Sequence, residues 1–204
     1  MKEFVYNTAS AVSDSTEVST SQAKYKPYLL VDESDCILKK ETKPFSFSDL
    51  IIDPEDVGSR LVETAKFHNT FCVTANQVGL DYKVFVAGSG DNFVAFYNPE
   101  ILTYSKETSV TQETDLSNMG FMLQVKRPIS ISIRYEDYTG ETKLAQFDGL
   151  TARIIQQCVD RLNGIDFKTK VSKLVLDRAK SSLDKRIKKF VKHNTYKKVE
   201  DVTR

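Results

Sequence analysis

Histidine is almost missing from this chain of 204 residues: only His68 and His193 occur, far apart and in no common motif. A hydrolase that holds a divalent metal through paired histidines sets them at i and i+4 on one helix face. These two leave no room for such a site displaced along the chain. Cysteine is also scarce. Cys36, Cys72 and Cys158 are odd in number, widely spaced and form no C-x-x-C. They argue for free thiols in a reducing compartment rather than a disulfide framework. No apolar run approaches the length of a membrane span. The N-terminus has no apolar core of a secretory signal. Its first 26 residues contain three acids and no Arg, which speaks against a mitochondrial presequence. The 40% hydrophobic and 28% charged residues are ordinary for a globular chain, and the length fits one domain with a sizeable core.

What is present is most informative between Phe147 and Phe167, FDGLTARIIQQCVDRLNGIDF. This stretch has the frame of a metallohydrolase helix with other residues at the working positions. Gln157 and Arg161 stand where the two His would be, and Cys158 where a Glu would serve as general acid/base. Gln is a weak ligand. Arg is a permanent cation and cannot ligate.

The segment resembles the third motif of peptide deformylases, Q-H-E-x-D-H-L-N-G, matching at Gln156, Asp160, Leu162, Asn163 and Gly164. Upstream, CVTANQVGL is similar to the first motif, G-L-A-A-x-Q-V-G, through Ala75, Gln77, Val78 and Gly79, with Cys72 and Thr74 departing from it. Between them ETDLS resembles E-G-C-L-S through Glu113, Leu116 and Ser117, with Thr114 for Gly and Asp115 for Cys. VFVAGSGDNFVAFYNPEIL and VKRPISISIRYEDYTGE are similar to the strand segments that follow the first and second motifs. The resemblance runs from about Leu29 to Val191. It implies an α+β fold of the peptide-deformylase kind, with mixed or antiparallel sheets around a central helix and a long C-terminal helix.

In the family one Cys and two His hold the metal, and a Glu handles protons on the attacking water. The corresponding positions here are Asp115, Gln157, Arg161 and Cys158. The resemblance therefore implies no catalytic residue, no metal and no cofactor. It predicts instead a structural salt bridge between Asp115 and Arg161, with Gln157 hydrogen-bonding nearby. Cys158 reads as a buried inert thiol, having no His to activate it. Gln77 and the Leu116 N–H correspond to the family's oxyanion donors and read as a vestigial cleft. Gln77 serves equally well as a satisfied core amide. Asp160 and Arg127 match positions that pair structurally in the family.

The near-neutral net charge of +1 hides a split. From Lys168 to Arg204 there are thirteen Lys/Arg against four Asp/Glu, about +9, which leaves about −8 on the first 167 residues. Three parts follow: a polar extension at 1–28, a deformylase-like domain at 29–167, and a basic amphipathic helix and tail at 168–204. A strand and turn are expected within Leu29–Lys43, and a helix over Pro54–His68. A strand over Lys83–Ala87 turns at GSGDN into Phe93–Tyr97. Ser130–Tyr138 reads as a half-exposed strand by its alternation, with a return over Leu144–Phe147. The core helix spans Leu150–Leu162 with Ala152, Ile155, Val159 and Leu162 inward, ended by Asn163-Gly164. A last helix over Val171–His193 presents Leu174, Leu176, Ala179, Leu183, Ile187, Phe190 and Val191 on one face.

The function these features suggest is a pseudoenzyme: a catalytically inactive deformylase-like structural or assembly subunit of a large particle, such as a virion baseplate. A non-catalytic binding module for N-terminal peptide segments, or a ribosome-associated factor, is the alternative. Protein subunits are the expected partners, met through Lys185, Arg186, Lys188, Lys189 and Lys192. Nucleic acid ranks behind them, for want of any aromatic interleaving or RNA motif. No membrane and no small-molecule substrate are expected. The expected location is the cytoplasm, with virion association as a further possibility.

Overall fold

The structure, a computed structural model, describes residues 25–49 and 51–200, with side chains as far as Lys192. Most of the 1–28 extension lies outside the described residues. Two α-helices sandwich an antiparallel sheet, and the sequence shows why. Strand β2 (Val84–Ser89) begins with the unbroken apolar run VFVA, buried on both faces. Val84 and Val86 point to one side, Phe85 and Ala87 to the other, the period of two that a strand imposes.

The first side is covered by α1 (Pro54–Phe67). Asp53 caps it by accepting from the Glu55 N–H at 2.9 Å, and Pro54 fills the first turn. Val57, Leu61 and Ala65 recur at i and i+4 and pack on Val84, Val86, Val73 and Tyr97. The second side is covered by α2 (Gly149–Leu162), whose Ala152, Ile155, Cys158 and Leu162 pack on Phe85, Phe96, Ile131 and Ile133. Val159 of the expected stripe is only half-buried. Gly164 ends α2 at φ +72°, and a Cβ there would stand 2.8 Å from the Lys39 and Lys40 backbone.

The main sheet runs β1 (Cys72–Thr74), β2, β3 (Asn92–Tyr104), β6 (Ser130–Glu136), β7 (Thr142–Asp148). A second sheet pairs β4 (Thr108–Glu113) with β5 (Leu123–Pro128). All these pairings are antiparallel, and the one parallel feature among the described residues is an isolated bridge, Lys43 to Tyr82. The fold is α+β, with antiparallel sheets around a central helix and a long C-terminal helix.

Two local expectations are corrected. Leu29–Lys43 carries no strand but a short 3-10 helix at Cys36–Lys39, which Asp35 caps by accepting from the Ile37 N–H at 2.9 Å. The last helix, α3 (Lys173–Glu200), starts two residues later than its apolar pattern suggests, after a separate 3-10 turn at Phe167–Lys170. Its apolar face is covered over its first half, where Leu176 and Ala179 pack against Leu123, Val125 and Phe167 and Leu183 lies half-buried beside Gly120. Leu174, Ile187 and Phe190 are exposed. No described helix is long and apolar enough to cross a membrane.

Candidate functional site

The three sequence motifs converge on one cleft. Its walls are Thr70 just before β1, Cys72 and Thr74 of β1, Gln77 of the turn after it, Thr114, Asp115 and Leu116 just after β4, and Gln157, Cys158 and Arg161 from α2. The cleft holds about 40 Å³. Phe71, Met119, Phe121 and Met122 do not line it.

Arg161 and Asp115 face each other, with Nη2 3.0 Å from Oδ2 and both side chains almost fully buried. The approach is within ion-pair distance yet misaligned for a hydrogen bond, so Arg161 Nη2, like its Nε, has no hydrogen-bond partner. Nη1 lies 3.8 Å from Asp166 Oδ2. Asp115 is held independently: its Oδ1 accepts from the Ser117 N–H at 2.8 Å and from Asn118 Nδ2 at 3.4 Å. Gln157 Nε2 donates to the Thr114 carbonyl at 2.7 Å. Gln77 is fully engaged. Its Oε1 accepts from the Thr74 N–H and hydroxyl at 3.0 and 3.1 Å, and its Nε2 donates to Ser117 Oγ at 3.1 Å. Burial pushes the Cys158 thiol well above its usual range, and a hydrogen bond with Cys72 adds to the shift. It stays a protonated thiol, a poor nucleophile.

A divalent cation of the kind the resembled motifs bind does not fit this donor set. A guanidinium occupies one ligand position and would repel it. The Gln157 amide nitrogen is turned to a backbone carbonyl, and Cys158 is held neutral. Among the described residues no group of three His, Cys, Asp or Glu is placed to hold a metal.

Beside the cleft runs a second buried charge network, of which sequence reasoning found only part. Arg127 donates from Nε and Nη2 to Glu113 at 2.7 and 3.0 Å and from Nη1 to Asp160 at 2.6 Å. Burial disfavours the Arg127 cation, but Glu113 and Asp160 outweigh that and raise its pKa. Arg153 joins through Glu113, the Val125 carbonyl and the Ser109 carbonyl. Arg153 was missed, although an Arg interrupting the inward face of α2, seven residues before Asp160, is a legible signal. The partner candidates Lys185, Arg186, Lys188, Lys189 and Lys192 all lie exposed on α3. Arg186 is already used, donating to the Gly120 carbonyl.

The chain is similar over most of its length to known proteins. The model of the family described as polypeptide deformylase matches residues 27–176. The chain belongs to the peptide deformylase family. A peptide deformylase of Thermotoga neapolitana is 32% identical over 146 residues, 72% of this chain and 83% of that protein. One of Dictyoglomus turgidum is 39% identical over 119 residues, 58% of this chain and 72% of its own. A protein of Agrobacterium fabrum named peptide deformylase-like is 31% identical over 119 residues, 58% of this chain and 73% of its own. The crystal structure of the Thermotoga maritima peptide deformylase superposes with a TM-score of 0.68 at 30% identity, covering 72% of this chain and 99% of that one. The Synechococcus elongatus enzyme in complex with actinonin gives 0.71 at 26% identity, covering 87% and 95%.

These relatives overturn the expectation that the chain is not an enzyme, and with it the description as a pseudoenzyme and virion component. Named deformylases match it across most of its length, and they point to a deformylase. Four side chains do not by themselves determine a whole protein's role. Those side chains decide what the positions themselves can hold, whereas the likeness runs through both sheets and α2.

Proposed function

We propose that the cleft takes up the N-terminal segment of a polypeptide, and that the chain acts on it in the way its relatives' name, peptide deformylase, indicates. The observation that carries this reading is a pair of adjoining cavities. The polar cleft is lined by Thr70, Cys72, Gln157 and Cys158. An apolar cavity of about 90 Å³ is lined by Phe71, Phe96, Leu150, Ile154 and others. Thr70–Cys72 and α2 contribute to both: Phe71 and the first half of α2 line the apolar cavity, Thr70, Cys72 and the second half of α2 the polar cleft. A polar end group beside an apolar slot suits the start of a peptide, with its terminal amide in one and its first side chain in the other. No step is assigned to a metal held at positions 115, 157 and 161, because the residues there do not fit one. The test is formate release from N-formyl-Met-Ala-Ser, run beside calorimetric titration of the same peptide. Release, or saturable uptake of the peptide, supports the reading. Neither ends it.

We propose further that α3 docks the chain on a partner protein, making it a subunit of a larger assembly. Leu174, Ile187 and Phe190 are large, apolar and exposed, and Lys185, Lys188, Lys189 and Lys192 surround the last two. Sedimentation of the native extract tests this. Travel with a large particle at fixed stoichiometry, lost in Ile187→Asp/Phe190→Asp, supports it. Wild-type protein in the light fraction alone overturns it.

A further inference from the structure

The chain has only three cysteines, and the fold brings two of them together. Cys72 and Cys158, far apart in sequence, both wall the polar cleft. Side chains on β1 alternate between faces, and Cys72 pairs in register with Ala87 of β2. Ala87 belongs to the apolar cluster under α2, and Cys72 packs against that same cluster. Val73 turns the other way, into the cluster under α1. On α2, Cys158 shares the inward face of Ile155 and Leu162. A strand and a helix that pack on each other thus carry one thiol each at their contact, and the two thiols are hydrogen-bonded. Cys158 is buried and Cys72 half-buried, so a solute entering the cleft meets Cys72 first. Cys36 stands apart, exposed on the 3-10 helix at Cys36–Lys39 and not among the cleft walls.

We infer that Cys72 and Cys158 form an oxidisable thiol pair, closed to an intramolecular disulfide by a small hydroperoxide and reopened by a dithiol reductant. The cleft opens to solvent, and about 40 Å³ admits a molecule of two oxygen atoms. Cys72 Sγ attacks one peroxide oxygen. The S–O bond forms, the O–O bond breaks, and the leaving hydroxide takes the thiol proton to become water. Cys158 Sγ then attacks the sulfur of this sulfenic acid. The S–S bond forms, the S–O bond breaks, and the hydroxyl leaves with the Cys158 proton as a second water. The two thiols lose two electrons in all, and the peroxide gains them. Cys158 is held as a neutral thiol, which suits it to the second step rather than the first; its position against Cys72 offsets its weak nucleophilicity. The closed bond ties β1 to α2 and removes both thiols from the cleft wall.

The experiment exposes the reduced full chain to a small excess of hydrogen peroxide, then blocks remaining thiols under denaturing conditions and maps the peptides without reduction. The expected product is a monomer about 2 Da lighter, with the peptides of Cys72 and Cys158 joined and Cys36 alkylated. Its melting temperature should rise by at least about 5 °C, because the link closes a long loop, and dithiothreitol should reverse the rise. Cys158→Ser should stop at a Cys72 sulfenic acid that dimedone traps, and should gain no thermal stability from peroxide. Cys36 oxidised at least tenfold faster, with Cys72 and Cys158 still alkylated, overturns the inference. So does separate conversion of Cys72 and Cys158 to sulfinic acids, or linkage between chains only. The wild-type map decides the matter even if Cys158→Ser fails to fold.

Discussion

Arg127 and Arg161 are almost equally buried, at 4% and 3% exposure, and each ties α2 to a neighbouring element through a carboxylate. Arg127 arises on β5, meets Glu113 in a two-pronged pairing and ties it to Asp160 on the helix. Arg161 arises on the helix itself, meets Asp115 at ion-pair distance, and leaves two nitrogens unused. Planar bidentate pairing is the geometry in which a guanidinium offsets its desolvation best. Burial alone therefore does not separate a well-satisfied guanidinium from a poorly satisfied one. The use made of its donors does.

The largest expected effect is at the satisfied site. Arg127→Met strands Glu113, which keeps only Arg153, and should cost about 3–5 kcal/mol of stability by urea denaturation. Arg161→Met should cost far less, about 1 kcal/mol, because Asp115 keeps its bonds from Ser117 and Asn118 and the lost guanidinium was itself poorly satisfied. Equal losses in the two variants would break the comparison.

A pH measurement probes the thiol between the two arginine sites. Burial first, then the Cys72 hydrogen bond, raises the Cys158 thiol above its value in the unfolded chain. Above about pH 8.5 the unfolded chain releases that proton while the folded protein keeps it. The folded state then binds more protons, so stability falls as pH rises from there, and is fully present below. Cys158→Ala should flatten that alkaline limb in melts recorded between pH 8 and 10; an unchanged slope would show that the cleft wall is wet. The smallest effect is expected on α3. Phe190→Ser, at an exposed position, should shift stability by no more than about 0.5 kcal/mol. A larger loss would mean that the far end of α3 packs on the body.

How far the fold could be read varied with the kind of signal. α1, α2, β2 and β6 were legible because their apolar residues recur with a helix or strand period and their ends carry Asp53, Asn163 and Gly164. β4 was not, because five of its six residues are exposed and TSVTQE has no inward face until Glu113. The stretch before Lys43 misled, since its 3-10 turn depends on one Asp35 contact. At the site, the motifs indicated which positions share the cleft. They did not indicate that Arg153 joins Glu113, nor that Asp166 borders Arg161, because those contacts involve residues outside the matched motif positions.

By itself the sequence determined the family frame, the order of its helices and main strands, and the residues at the four substituted motif positions. Those follow from local periodicity and from side-chain chemistry that does not depend on surroundings. Only the tertiary structure decided which buried charges are satisfied. Whether a guanidinium N–H meets an acceptor depends on angles and tenths of an ångström between segments distant in sequence, as between Asp115 on one turn and Arg161 on α2.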